Sequence, residues 1–314
     1  MRLRLDPFIL ALVTTLVAAS LLPVRGQAAE ALSLAARIVI AVLFFLHGAK
    51  LSREAMLAGI AHWRMHLTVL AVSFLLFPLL GIGADALPFL SEPMALGVLF
   101  LCCLPSTVQS SIAFTSIARG NIAAAVCSAS ASNLLGMVLT PLLVGVLMHT
   151  QGAGLSWSVG GAVLSQLLLP FVAGQVARPW VQGWIEPHAR AVNIIDRGSI
   201  LLVVYSAFSQ AVTDGAWTRV SAGELAVMAL VCAALLAIVL ATTVFGARAL
   251  NFAKEDEIAI VFCGSKKSLV TGAPMAAILF APAVAGLMIL PLMLYHQMQL
   301  IVCSVIAQRY AARA

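Results

Sequence analysis

From residue 7 onward the chain is a series of apolar runs, each close to the length that crosses a bilayer, joined by short polar connections. A hydrocarbon core ~30 Å thick takes about 20 residues of helix. Inside it the chain must satisfy its own backbone donors and acceptors, so continuous runs of this length read as helices. Ten runs can be laid out, at 7–24, 31–49, 65–84, 93–117, 121–148, 155–177, 196–213, 222–247, 257–280 and 283–307. Of 314 residues 62% are hydrophobic and 10% are charged, where a soluble domain carries about 25% charged. The expectation is an all-α polytopic membrane protein with ten transmembrane helices and no soluble domain.

The charges decide how such a chain threads. With the N-terminus in the cytoplasm, the inside segments hold Arg2, Arg4, Lys50, Arg53, Arg64, Arg119, Arg178, Arg190, Arg197, Arg248, Lys254, Arg309 and Arg313. The outside segments hold only Arg25, Arg37 and Arg219. Thirteen to three is a firm positive-inside bias and predicts cytoplasmic N- and C-termini. The net charge of +6 does not point to nucleic acid, because the basic residues fall singly between apolar runs. Six cysteines lie in apolar segments without metal-binding spacing and read as buried small residues. No metal or cofactor is expected. His47 and Lys50, with the cluster His62, Trp63, Arg64 and His66, read as interfacial anchors.

Ten helices divide into five and five. An odd number per half makes the halves enter the membrane from opposite sides, the inverted-repeat plan of many secondary transporters. The repeats are expected at 1–151 and 152–314, with the fourth and ninth helices in matching positions. Both contain an interruption. The ninth, Ile258 to Phe280, carries Lys266 and Lys267 side by side, flanked by Gly264, Ser265, Ser268, Thr271, Gly272 and Pro274. Charges at membrane depth are costly and mark functional sites by default. The fourth carries Pro105 followed by Ser106, Thr107, Gln109, Ser110 and Ser111. A proline kink alone does not account for five polar side chains beside it. Interrupted helices in corresponding halves point to a transport site. In the fifth run, Ser128 and Ser132 share a helix face beside Asn133, which is the stronger site candidate. In the tenth, Tyr295, His296, Gln297 and Gln299 form a polar face, with His296 a candidate for proton exchange.

The segments FCGSKKSLVTGAPMA at 262–276 and CLPSTVQSSIAFTSIARGN at 103–121 resemble the bile acid:sodium symporter superfamily. The nearer match is to the branch of solute carrier family 10 member 7 and its bacterial relatives. The resemblance spans the whole chain. It implies a core domain of helices 3–5 and 8–10, a panel domain of helices 1, 2, 6 and 7, and unwound fourth and ninth helices crossing at mid-membrane. In sodium-coupled members an acidic residue and amide side chains of the ninth helix bind the ion. Here those positions align with Phe262, Lys266 and Lys267, while the Ser-Asn ligands of the fourth fall near Ser110 and Ser111. Sodium coupling and bile acid are therefore not carried over.

The expected function is secondary transport of a small organic or inorganic anion, by a symporter-like fold in the bilayer of a bacterial inner membrane. Lys266, Lys267, Ser265, Ser268, Thr107, Gln109, Ser110, Ser111, Asn133 and His296 are the candidate substrate-binding residues. A lysine at the crossover can replace a coupling cation permanently, or can hand on a proton during turnover. The alternative is a membrane regulator that keeps this fold without transporting, of the calcium or secretory-homeostasis type that the animal branch suggests. An enzyme is not expected: all twelve acidic residues fall in loops or at helix ends, leaving no buried carboxylate pair.

Overall fold

Helices occupy the apolar runs, and their interruptions fall where proline and glycine-serine stretches withdraw backbone donors or favour other conformations. The computed structural model describes residues 7–50, 62–148, 161, 164–215 and 221–313, and no strand occurs among them. In chain order the helices are α1 (Pro7–Leu21), α2 (Gln27–Lys50), α3 (Trp63–Asp85), α4 (Glu92–Cys103), α5 (Val108–Ile117) and α6 (Ile122–Leu147). They continue as α7 (Leu169–Ile185), α8 (Ala189–Thr213), α9 (Ala222–Ala249), α10 (Lys254–Gly264), α11 (Leu269–Leu279) and α12 (Pro282–Ala311). Six of them are long and apolar enough to span a bilayer, and α4 with α5 makes a seventh span bent by 64°. The remaining expected crossings fall on α1, of 15 residues, on α7, whose run begins outside the described residues, and on the broken pair α10–α11.

The chain divides into two units. The first comprises 1–51, 155–221 and 273–287. Within it α2 lies against α7 at glycine contacts. A Cβ on Gly48 would strike the Phe171 carbonyl, and one on Gly174 would strike the Phe45 carbonyl. Small residues at such points let membrane helices approach backbone to backbone. Lys50, read as an anchor, instead pairs with Asp196, whose side chain is only 6% exposed. The sequence layout placed Asp196 at the start of a span. Helix α8 in fact begins seven residues earlier, which draws the carboxylate into the packed interior.

The second unit comprises 52–154, 222–272 and 288–314. The Ala-Arg-Gly-Asn stretch at 118–121 turns α5 into α6. Arg119 takes a positive φ of 59°, and the bonds Gly120 N to Thr115 O (2.8 Å) and Arg119 N to Ser116 O (3.1 Å) close a Schellman motif. Asn121 then caps α6 by accepting from Ala124 N at 3.0 Å and donates to Asp256 at 2.8 Å. His66, read as an anchor, packs inward with Nδ1 2.5 Å from Ser128 Oγ. At the same end of this unit Glu257 gathers Lys254 Nζ (2.7 Å), Arg248 Nε (3.3 Å) and the Tyr310 hydroxyl (2.7 Å). None of the six cysteines forms a disulfide, and all six are buried.

Candidate functional site

The second unit holds both interruptions, and they touch. Helix α4 ends at Cys103 and α5 begins at Val108; α10 ends at Gly264 and α11 begins at Leu269. Leu104, just before Pro105, takes an extended conformation with ψ 156°, as the proline ring requires. The unwound stretch is thus 104–107. Gln109, placed in it by the sequence, lies in the first turn of α5 and is exposed. That corrects the expected boundary, since the interruption closes with the extended cap residue Thr107 and the helix resumes at Val108.

Each interruption leaves helix-end carbonyls without intrahelical partners, and the crossing supplies donors for them. Ser106 Oγ donates to Cys263 O (2.5 Å), Ser111 Oγ to Phe262 O (2.9 Å) and the Tyr295 hydroxyl to Ser265 O (2.8 Å). In return Ser268 N donates to Pro105 O at 2.9 Å, and Thr107 Oγ1 to Lys267 O at 2.9 Å. Gln299 braces the same stretch on both sides, accepting from Lys267 N (2.8 Å) and donating to Lys267 O (2.9 Å). Its amide also lies 2.8 Å from His296 Nδ1, which makes that nitrogen the acceptor; the 3.4 Å separation from Nδ1 to Lys267 O is then no hydrogen bond. Ser268 Oγ, Thr271 Oγ1 and Asn133 Oδ1 form a relay of 3.0 and 2.8 Å. Ser265 Oγ turns back on its own helix to Val261 O at 2.6 Å.

The two lysines are fully buried and point to different places. Lys267 Nζ donates to three main-chain carbonyls: Ser73 at 2.9 Å, Cys102 at 2.9 Å and Leu104 at 2.5 Å. It also sits 4.0 Å from the centroid of the Phe77 ring. Cys102 and Leu104 are at the end of α4, where carbonyls and the negative helix pole favour a cation. Ser73 lies in a π-helical turn, Val72–Leu76, a wider winding that occurs often at functional sites. An ammonium has three N–H donors, and Lys267 has used all of them. Lys266 Nζ donates to Ser110 O at 2.9 Å and lies 3.8 Å from the Phe114 ring centroid and 5.6 Å from that of Phe262. Among the described residues, no carboxylate pairs with either lysine.

All ten candidates lie in the second unit, and nine of them lie at or beside the crossing; Gln109 is the outlier. Ser73, Phe77, Cys102, Leu104 and Gln299 are the additions. The first four contribute backbone oxygens or a ring face, which no side-chain motif announces. Gln299 belongs to the polar face of the tenth run, the signal by which it could have been chosen.

The model of the SBF-like CPA transporter family matches residues 6–312. "Uncharacterized protein PA2026" of Pseudomonas aeruginosa is 54% identical over 311 residues, covering 98% of this chain and 93% of the relative. "Putative symporter YfeH" of Escherichia coli K12 is 54% identical over 308 residues, with the same coverage of both chains. "Sodium/bile acid cotransporter 7" of Rattus norvegicus is 26% identical over 313 residues, covering 97% and 92%.

Proposed function

The chain belongs to the SBF-like CPA transporter family, a family of membrane transporters and not of enzymes, and from that premise we propose that it carries a small anion without sodium. The observation behind this reading is the three-carbonyl cage around Lys267 Nζ. Oxygen ligands arranged about a point are what a hard cation takes. Here a tethered ammonium holds that place, so the positive charge that other transporters bring in from solution is part of the chain. A sodium ion arriving nearby meets repulsion of ~4 kcal/mol for unit charges about 4 Å apart at an effective dielectric of about 20. An anion is attracted by Lys266 and by the start of α5.

The rest of the reading follows the same lines. Ten crossings in two inverted repeats place the broken helices at mid-membrane. The second unit, which collects the third to fifth, the eighth and parts of the ninth and tenth apolar runs, supports a core domain; the first unit supports a panel. Bacterial relatives support residence in an inner membrane, and the thirteen-to-three charge bias supports cytoplasmic termini. A proton is the candidate coupling ion, and His296 the candidate residue for its exchange.

The test is thermal unfolding of purified protein against small organic and inorganic anions, in sodium and in choline buffers, followed by proteoliposome uptake of whichever anion stabilises. Equal stabilisation and uptake in both buffers is the expected result. Binding or uptake that requires sodium would overturn the coupling assignment. Absence of an effect from every anion would overturn anion transport and favour the regulator.

A further inference from the structure

We infer that the anion carries a single negative charge and is held by Lys266 together with the Ser110 hydroxyl; the inference rests on the anion-transporter reading above. The two lysines bring two positive charges into the crossing, but they are not equally available. Lys267 has three carbonyl partners for three donors. Lys266 has one, Ser110 O, which leaves two N–H groups without an acceptor among the described residues. On the same residue the Ser110 hydroxyl is buried and has no hydrogen-bond partner. Burying ammonium donors or a hydroxyl without acceptors is costly; the Phe114 ring face 3.8 Å from Nζ offsets part of that for Lys266, and both groups can take a ligand with acceptor oxygens.

Ser110 is the third residue of α5, where backbone N–H groups lack intrahelical partners. The cap residue Thr107 does not serve them: its hydroxyl makes no cap hydrogen bond to α5 and is turned to donate to Lys267 O. A carboxylate or comparable monoanion here meets two ammonium donors, a hydroxyl and a helix N-terminus. A second negative charge on the ligand finds no further free ammonium at the crossing among the described residues. It finds the rings of Phe114 and Phe262, whose faces are electron-rich. Charge counting thus selects monoanions over dianions of similar size.

The experiment compares matched pairs at equal ionic strength and near-neutral pH: acetate with malonate, propionate with succinate, nitrate with sulfate. Thermal unfolding is read as the difference between wild type and Lys266→Gln, which removes the general stabilisation that excluded salts give. At least one monoanion is expected to stabilise the wild type with an apparent affinity about tenfold or more above its dianionic partner, and to lose that effect in Lys266→Gln. Should Lys266→Gln fail to fold, Ser110→Ala keeps the charge and is expected to weaken the monoanion several-fold, while Lys266→Arg retains the preference. Tighter binding of the dianions, or a monoanion effect that survives both Lys266→Gln and Ser110→Ala, overturns this inference and leaves anion transport standing. No response to either class overturns the anion reading itself, and this inference with it.

Discussion

Lys266 and Lys267 are neighbours in sequence with separate surroundings, because the backbone that carries them is unwound and its successive side chains diverge. One reaches α5, the other reaches α3 and the end of α4. Their substitutions should therefore differ in kind. Lys267→Met removes the only donors that three buried carbonyls receive from this side chain, and each unsatisfied group costs about 1–3 kcal/mol. A large fall in the unfolding midpoint is expected, larger than for Lys266→Gln. Lys267→Arg should not restore it, since a planar fork does not fit a cage built for a compact point charge. In Lys267→Ala the cage is vacated, and sodium should raise the unfolding midpoint relative to choline, an effect absent in the wild type. Equal midpoints for Lys267→Met and wild type would dismiss the cage as a stabilising device. The lysines were legible in the sequence because charge inside an apolar run is conspicuous. The cage was not, because it is made of carbonyls that every residue possesses.

Among the elements, the interruptions were the most legible feature, since Pro105 and Gly264-Ser265 disturb a helix for local reasons. Their mutual satisfaction was not, because donors for α10 come from residues about 150 positions away, such as Ser106 and Ser111. The π-helical turn at Val72–Leu76 was equally silent: its sequence, VSFLL, reads as ordinary apolar helix. The glycine contacts of α2 and α7 carry a prediction of their own. The atoms that an added Cβ would strike at Gly48 and Gly174 are main-chain carbonyls, which cannot rotate aside. Gly48→Ala and Gly174→Ala should therefore each lower stability in detergent by about 1–3 kcal/mol through forced separation of the helices. Gly183→Ala, where a Cβ meets open space, serves as the control and should be neutral or slightly stabilising. A Gly48→Ala protein as stable as the control would mean that the two helices can part at no cost.

At the scale of the whole molecule, the sidedness read from charge makes a geometric demand that each unit can meet or fail by itself: segments assigned to one side must gather at one end. In the second unit the start of α3, the turn at 118–121, the end of α9, the start of α10 and the end of α12 are all assigned to the cytoplasm. Arg64 packs over Phe252, Asn121 bonds Asp256, and Glu257 joins Arg248, Lys254 and Tyr310. In the first unit the end of α2 meets the α7–α8 corner through Leu46, Ala49, Ile185 and Val192. The opposite assignments meet as well, with Val24 N donating to Ser209 Oγ at 2.6 Å and the Tyr205 hydroxyl to Leu22 O at 2.8 Å. This grouping gathers those segments at one end of their own unit, and the side each end faces is proposed from the thirteen-to-three charge bias. The prediction is that a single reporter cysteine at His188, which is exposed in the α7–α8 turn, is reached only from the cytoplasm, and one at Ala28, exposed near the start of α2, only from outside. The native thiols are buried and should stay silent towards a membrane-impermeant maleimide. Labelling of intact cells should modify Ala28→Cys and spare His188→Cys until the membrane is opened. The reverse pattern would invert the protein in the membrane, and labelling of both from outside would break the count of crossings between them.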